Sequence, residues 1–97
     1  MKKSFLFLQS RAPLDAGPEA FDLALTAAAF DHEVHLVLAD DGVFWLRAGL
    51  PELVTEAVEQ IVWERESLTE RGLSASAEIT REDLAALIAA SDVVVTG

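Results

Sequence analysis

Residues 34–42 of the chain are VHLVLADDG, a nearly unbroken apolar run that ends in a polar turn. Continuous apolar character is typical of a strand covered on both faces of a parallel sheet, and Asp-Asp-Gly is a turn sequence. The stretch therefore predicts a buried strand over residues 34–38, followed by a loop. Two similar apolar runs, residues 3–9 and 92–96, predict further buried strands.

Segments with helical periodicity separate these runs. Phe21, Ala24, Leu25 and Ala28 recur at helical spacing and predict a helix that ends near residue 30, with Pro18 suited to its first turn. Three further helices are predicted: one that begins at Pro51, one over residues 67–71 closed by Gly72, and one over residues 81–90 capped by Thr80.

Two segments are harder to assign. Residues 73–79 alternate apolar and polar positions, which predicts a half-buried edge strand. Residues 59–64 fit either a helical extension or a strand, since Ile61, Val62 and Trp63 favour β structure. Because strands alternate with helices, we expect a single α/β domain over residues 1–97, with a mainly parallel sheet and helices on both faces.

The composition excludes several kinds of function. The 97 residues include 7 Lys and Arg against 17 Asp and Glu, which gives a net charge of −10, and no cysteine. Without cysteine this chain offers no disulfide, no thiolate-bound zinc or iron–sulfur cluster, and no thiol nucleophile. Direct nucleic-acid binding is not expected, because it depends on Lys and Arg neutralising phosphates.

The hydropathy of the chain gives expectations about location and assembly. The apolar run of residues 5–8 is too short for an export segment, and no stretch approaches the ~18 apolar residues of a membrane span. We therefore expect a cytoplasmic protein without a membrane association. Hydrophobic residues make up 52% of the chain, which makes self-association or a partner subunit plausible for so small a domain.

Two loops lie where a parallel sheet usually binds ligands, beyond the carboxyl ends of its strands. The first contains Ser10 and Arg11, and the second contains Asp40, Asp41 and Gly42. Neither matches a dinucleotide or P-loop motif, so a small anion or similar ligand is the weak expectation there. The alternative is structural: a solvated Arg11, a capping aspartate, and a positive φ at Gly42.

The least ordinary segment is Phe44, Trp45, Leu46 and Arg47, which follows the glycine turn. Trp, Phe and Arg are enriched at interface hot spots, so these residues are candidates for a contact with another subunit. The alternative is that they pack beneath a long loop as part of the core.

The remaining polar residues do not form a catalytic or metal-binding pattern. His32 and His35 lack a third His or Cys ligand and are interpreted as structural, and no nucleophile elbow is present. No enzyme activity, metal or cofactor is therefore expected. A charged, solvated face is predicted for Glu64, Glu66, Glu70, Glu82, Arg65, Arg71 and Arg81.

Three segments carry a resemblance to a known family. They are residues 19–30, residues 38–44 (LADDGVF) and residues 67–73 (SLTERGL). In this order they resemble the DsrE/DsrF/DsrH and TusB/TusC/TusD sulfur-relay proteins over nearly the whole chain. The resemblance implies a five-stranded α/β fold that assembles into dimers or hexamers, with a strand over the ambiguous residues before the Arg71-Gly72 helix.

The same resemblance implies a role in persulfide transfer. One subunit type of the family, DsrE or TusD, carries sulfur on a cysteine that precedes this helix. The corresponding region, residues 63–65, contains no cysteine here. The best match is thus the DsrF/TusC-like subunit, a noncatalytic partner of cysteine-bearing DsrE/TusD-like subunits, of further copies of itself, or of both.

Overall fold

Five parallel strands form one sheet in the computed structural model, which describes residues 2–17 and 19–97. In chain order they are β1 (Ser4–Gln9), β2 (Glu33–Leu38), β3 (Gln60–Glu64), β4 (Glu78–Ile79) and β5 (Val93–Thr96). The sheet order is β4-β3-β2-β1-β5, and each neighbouring pair is parallel. The α/β class with a mainly parallel five-stranded sheet is confirmed.

Helices connect the strands. Those in the described residues are α1 (Pro13–Ala16), α2 (Asp22–Ala29), α3 (Trp45–Ala48), α4 (Glu52–Ala57), α5 (Arg65–Glu70) and α6 (Arg81–Ala90). A 3₁₀ turn, Asp40–Phe44, leads from β2 into α3. The order of β1, β2 and β3 follows the chain, whereas β5 lies on the other side of β1, so the direction of the chain across the sheet reverses before β5.

The larger core lies on one face of the sheet, under α2, α4 and α5. Alternate residues of the strands, such as Phe7, Leu36 and Trp63, point into it because side chains in a strand alternate between faces. Ala24 and Ala27 are the buried residues of α2, and their small side chains let this helix pack close to the sheet.

Helix α6 covers the opposite face of the sheet. Among the described helices, it is the one that contributes residues to the core on that side. Leu6, Val37 and Leu84 are buried in this smaller core, and Leu8 and Val62 are half-buried beside them. The expected helices on both faces are therefore confirmed.

Two strand predictions have different outcomes. Residues 60–64 are a strand, as the resemblance implied. The prediction of a strand over residues 73–79 is wrong except at Glu78–Ile79. The Leu73 N–H donates to the Leu68 carbonyl at the end of α5, so it is not free for a strand ladder. Leu73 and Ala75 pack against the larger core from an irregular segment.

The helix over residues 21–30 is shorter at its start than expected. It begins at Asp22, with Phe21 at the N-cap position, and α1 precedes it as a separate, unexpected helical turn. Pro18, expected in the first helical turn, lies outside the described residues. The Thr80 cap of α6 is confirmed, since its side chain accepts a hydrogen bond from the Asp83 N–H at 3.1 Å.

Candidate functional site

The loops after β1, β2 and β3 meet at the carboxyl edge of the sheet, where parallel sheets bind ligands. Gly42 brings the loops after β1 and β2 into backbone contact. A Cβ atom at Gly42 would lie 2.0 Å from the Gln9 carbonyl oxygen, so only glycine fits there. The positive φ belongs to Asp40, at 50°, and not to Gly42, so the alternative that gave Gly42 this role is wrong. Gly42 is required by close approach.

A cavity of about 180 Å³ opens between the carboxyl ends of β1 and β5. This is the place where the chain reverses its direction across the sheet, the usual ligand position in such folds. Its walls are mainly apolar, with Phe7, Phe21 and Leu36 among them, and Gln9, Arg11 and Glu19 add polar groups. The cavity is small beside typical ligand pockets of roughly 300–1,000 Å³.

The candidate ligand residues do not all reach this cavity. Arg11 lines it, whereas Ser10 lies beside it and donates its hydroxyl to the Gly97 carbonyl at 2.7 Å. Asp40 and Asp41 are on the β2 side, where Asp41 accepts hydrogen bonds from Arg71. The two loops predicted as one ligand site thus contact each other through Gly42. Their charged side chains lie apart, with Arg11 at the cavity and Asp41 beside Arg71.

A buried polar network lies at the carboxyl end of β3. Glu64 is 5% exposed, and its Oε1 accepts hydrogen bonds from the Ser67 hydroxyl at 2.5 Å and from Arg81 Nε at 3.1 Å. The fully buried Ser67 hydroxyl also accepts the Asp40 N–H at 2.8 Å. This network, called the Glu64 network below, ties the ends of β2 and β3 to the start of α6.

The burial of Glu64 corrects the prediction that this residue belongs to a solvated charged face. The period of two along β3 places Glu64 on the same side as Val62, under α6. That alternation is a sequence signal that could have identified it. Arg65, Glu70, Arg81 and Glu82 are exposed, as expected, whereas Glu66 and Arg71 are half-buried.

Electrostatics follows from these contacts. The hydrogen bond to the Glu64 carboxylate, together with its negative charge, raises the pKa of the Arg81 guanidinium above its ordinary value. The backbone N–H of Glu66 itself and that of Arg81 hold the pKa of the Glu66 carboxyl below its ordinary value. The start of α6 is therefore fixed to α5 by groups that stay charged at neutral pH.

A second ion pair fixes the 3₁₀ turn. Arg71 donates from Nη2 to Asp41 at 3.0 Å and from Nη1 to the Ser67 carbonyl at 3.1 Å. Its guanidinium carbon also lies 6.0 Å from the centroid of the Phe44 ring, within cation–π range. Arg71 thus holds Asp41 and Phe44 beside the end of α5.

The candidate interface residues lie next to this turn. Trp45 is half-buried: its ring packs edge-on against Phe21 with centroids 4.9 Å apart, and its Nε1 donates to the Arg11 carbonyl at 3.2 Å. Phe44 and Leu46 are also half-buried, and Arg47 is exposed. These side chains join the loops together and leave part of their surface open, and their role in an interface stays a prediction.

The structure gives the histidines local partners. His32 Nδ1 accepts the Lys3 N–H at 3.1 Å, and His35 Nε2 lies 3.1 Å from Glu33 Oε1. Within residues 2–17 and 19–97, no group of three His, Asp or Glu side chains is arranged to hold a metal ion.

The charged side chains at this edge of the sheet are paired with each other, and the buried polar groups have hydrogen-bond partners. The chain has no thiol, and the Ser67 hydroxyl is occupied by Glu64 and Asp40. In the part of the chain that the structure describes, no helix is long and apolar enough to cross a bilayer.

No curated protein matches the chain. The family model described as "DsrE/DsrF-like family" matches residues 1–96. Since that match covers nearly all of the sequence, the chain belongs to the DsrE/DsrF-like family.

Proposed function

We propose that this chain is a noncatalytic, partner-binding subunit of a sulfur-relay system, of the DsrF/TusC-like type. Membership of the DsrE/DsrF-like family suggests an involvement in sulfur relay. A thiolate is the nucleophile that accepts and donates sulfane sulfur. A chain without cysteine therefore contributes by positioning and stabilising a subunit that has one.

The observation that carries the proposal is the content of residues 63–65, the region that the resemblance assigns to the carrier cysteine. Trp63 and Glu64 are buried there, and Glu64 is paired with Arg81. Arg81 is half exposed, but its removal would leave the buried carboxylate of Glu64 without a counter-charge, which is costly. The region is thus built as a fixed structural element, which supports a scaffold role.

The proposed partners are cysteine-bearing DsrE/TusD-like subunits, further copies of this chain, or both, and we place the contact at Phe44, Trp45, Leu46 and Arg47. Arg71 contacts the Phe44 ring of this segment, and the Glu64 network binds the Asp40 N–H at the start of the 3₁₀ turn that leads into it. An exposed Arg47 beside half-buried aromatic rings is the composition of an interface hot spot.

The test is co-expression with a DsrE/TusD-like subunit from the same source, followed by native mass spectrometry and transfer of ³⁵S-labelled sulfane sulfur. We expect a complex in which the label is attached to the partner and not to this chain. Arg47→Glu should weaken the complex, whereas Leu14→Ser, a change at an exposed site in α1, should not. Label bound covalently to this chain, or a complex indifferent to Arg47→Glu, would contradict the proposal.

A second candidate function is supported by the cavity between β1 and β5. Apolar walls with Arg11 and Glu19 at the polar side suit a small molecule with one charged group. We expect phenylacetate or inorganic phosphate at millimolar concentration to raise the melting temperature in a saturable way. Arg11→Gln should abolish that shift, and an unchanged melting temperature with both probes would rule this function out.

A further inference from the structure

The two faces of the sheet are covered unequally. In the larger core the buried strand residues are Phe7, Val34, Leu36, Leu38 and Trp63, whereas the smaller core has Leu6 and Val37. Neighbouring strands lie about 4.8 Å apart, so five strands span roughly 20 Å, and a single helix is only about 10 Å across. Helix α6 therefore covers part of the second face, and the rest of that face lacks a layer of its own.

Side chains on this second face show where the cover is incomplete. Val94 of β5 lies beside Leu6 in the register, so it is on the α6 side of the sheet, and it is 40% exposed. Thr96 is exposed on the same side, and its neighbour Leu8 is half-buried. Val62 of β3 belongs to the smaller core and is also half-buried. The face is thus open at β5 and only partly closed at β1 and β3.

The outward side of α6 is apolar as well. Leu84 and Leu87 pack on the sheet, and the other residues of the last two turns are exposed: Ala85, Ala86, Ile88, Ala89 and Ala90. Residues 84–91 contain no charged side chain, although 25% of the chain is charged. A helix that faces water ordinarily carries charged and polar residues on its outer side, and a helix that is apolar all round is buried. The last two turns of α6 therefore have the composition of a helix packed between two layers.

We propose that a second copy of this chain covers this surface, so that α6 of each protomer lies between the two sheets. Each copy has a sheet face that is partly uncovered and a helix with an apolar outer side. A two-fold pair brings the helix of one copy to the open face of the other, and the same contact is made twice. The inference does not rest on the proposed function. The segment 44–47 is elsewhere, since Trp45 and Leu46 pack against the larger core.

The distribution of charge favours a second copy over a charged partner. The chain has a net charge of −10, but residues 84–91 and 93–97 carry no charge. Asp92, between these segments, is hydrogen-bonded to Ser4 of β1 at 2.8 Å. Two copies can therefore meet at this surface without carboxylates facing each other, and a basic partner would find few of the ion pairs that give charged interfaces their specificity.

The sizes of the side chains also fit a close contact between two helices. Alanines on the outer side of α6 allow the axes of two such helices to approach to about 8 Å. Ile88 and Val94, which are 38% and 40% exposed, supply larger apolar groups at the margin of the contact. Their removal from water on association is favourable.

The test is sedimentation equilibrium of the full chain over a wide range of protein concentration, together with ¹⁵N–¹H NMR spectra. We expect a concentration-dependent dimer, with shift changes centred on α6 and on residues 94–96. Salt should strengthen this dimer, because it screens the repulsion between two negatively charged copies and no ion pair is lost at the contact.

Two variants and one control test the surface directly. Ala86→Lys places a charge on the outer side of α6, where Glu82 one turn earlier can pair with it and preserve the helix. The change makes the net charge less negative, so a weaker dimer cannot result from added repulsion. We expect the dissociation constant to rise by roughly tenfold or more, because an ammonium group is buried at the contact. Val94→Thr, which keeps the shape of the side chain, should raise it by about threefold.

The matched control is Ala29→Lys, at an exposed alanine of α2 on the other face, which should leave the dissociation constant unchanged. A chain that stays monomeric at millimolar concentration would overturn the proposal, and so would a dimer that Ala86→Lys and Ala29→Lys affect equally. A dimer weakened by Arg47→Glu but not by Ala86→Lys would place the contact at residues 44–47. A dimer that weakens as salt is raised would indicate an interface of ion pairs and contradict the proposal in the same way.

Discussion

Replacing Ser67 with alanine is the most direct test of the Glu64 network. The change removes one oxygen atom from a fully buried position and so creates little empty space. It removes two hydrogen bonds, one to the Glu64 carboxylate at 2.5 Å and one from the Asp40 N–H at 2.8 Å. We expect the free energy of unfolding to fall by more than the loss of one hydrogen bond would explain.

The size of the effect follows from the two bonds. A hydrogen bond to a charged group contributes about 1.5–3 kcal/mol, and a neutral one about 1 kcal/mol. Arg81 still donates to the same oxygen of Glu64, and Asp40 is exposed, so water can reach its backbone. We therefore expect a loss at the lower end, about 2–3 kcal/mol. With a urea m-value of about 1.5 kcal/mol/M, the midpoint of the urea transition should fall by roughly 1.3–2 M.

The assay is urea unfolding, followed by far-UV circular dichroism and by the fluorescence of the two tryptophans. Ser91→Ala is the matched control, since its half-buried hydroxyl donates a single hydrogen bond, to the Leu87 carbonyl at 2.7 Å. That variant should lose no more than about 1 kcal/mol. If Ser67→Ala costs no more than Ser91→Ala, the reasoning about the Glu64 network is refuted.

Two further predictions concern the loops and the pH dependence. Gly42→Ala should destabilise the fold by about 3 kcal/mol, because its Cβ would meet the Gln9 backbone. In chemical denaturation, Gly49→Ala should cost less, about 1–2 kcal/mol, since φ is +84° there but nothing lies within 4 Å; a reversed order would contradict the close approach. The backbone N–H and then the hydroxyl of Ser4 lower the pKa of Asp92. The pKa of Asp92 in the folded state is therefore below its unfolded value of about 3.9. The hydrogen bonds of ionised Asp92 thus stabilise the fold fully above about pH 3.9, and this stabilisation is lost as the pH falls through the folded pKa. Asp92→Asn should flatten the acid limb of a plot of melting temperature against pH, and an unchanged limb would show that Asp92 does not contribute.

The parts of the fold that could be predicted from sequence are those with local causes. Continuous apolar runs identified β1 and β2, because short runs of this kind are typical of strands covered on both faces. The cap at Thr80 and the left-handed residue at Gly72, with φ of +67°, follow from the chemistry of helix ends.

The parts that could not be predicted depend on contacts between distant residues. Alternation over residues 73–79 is typical of a strand, but Leu73 and Ala75 pack on the core from an irregular segment. The close approach of Gly42 depends on the position of the Gln9 carbonyl in β1. Glu64 is buried with a partner, Arg81, that lies 17 residues away, and no local pattern identifies that partner.

The pairing of β5 with β1 sets the order in which the chain can fold. Asp92 and Ser4 are hydrogen-bonded although 88 positions separate them, and the β1–β5 ladder follows directly. A nascent chain leaving the ribosome can join β1 to β2 early, but one side of β1 stays without its neighbour until the residues of β5 have been synthesised. Bringing together residues so far apart in the chain costs conformational entropy, which slows the formation of such contacts. The wall of the cavity is therefore complete only once β5 has paired with β1.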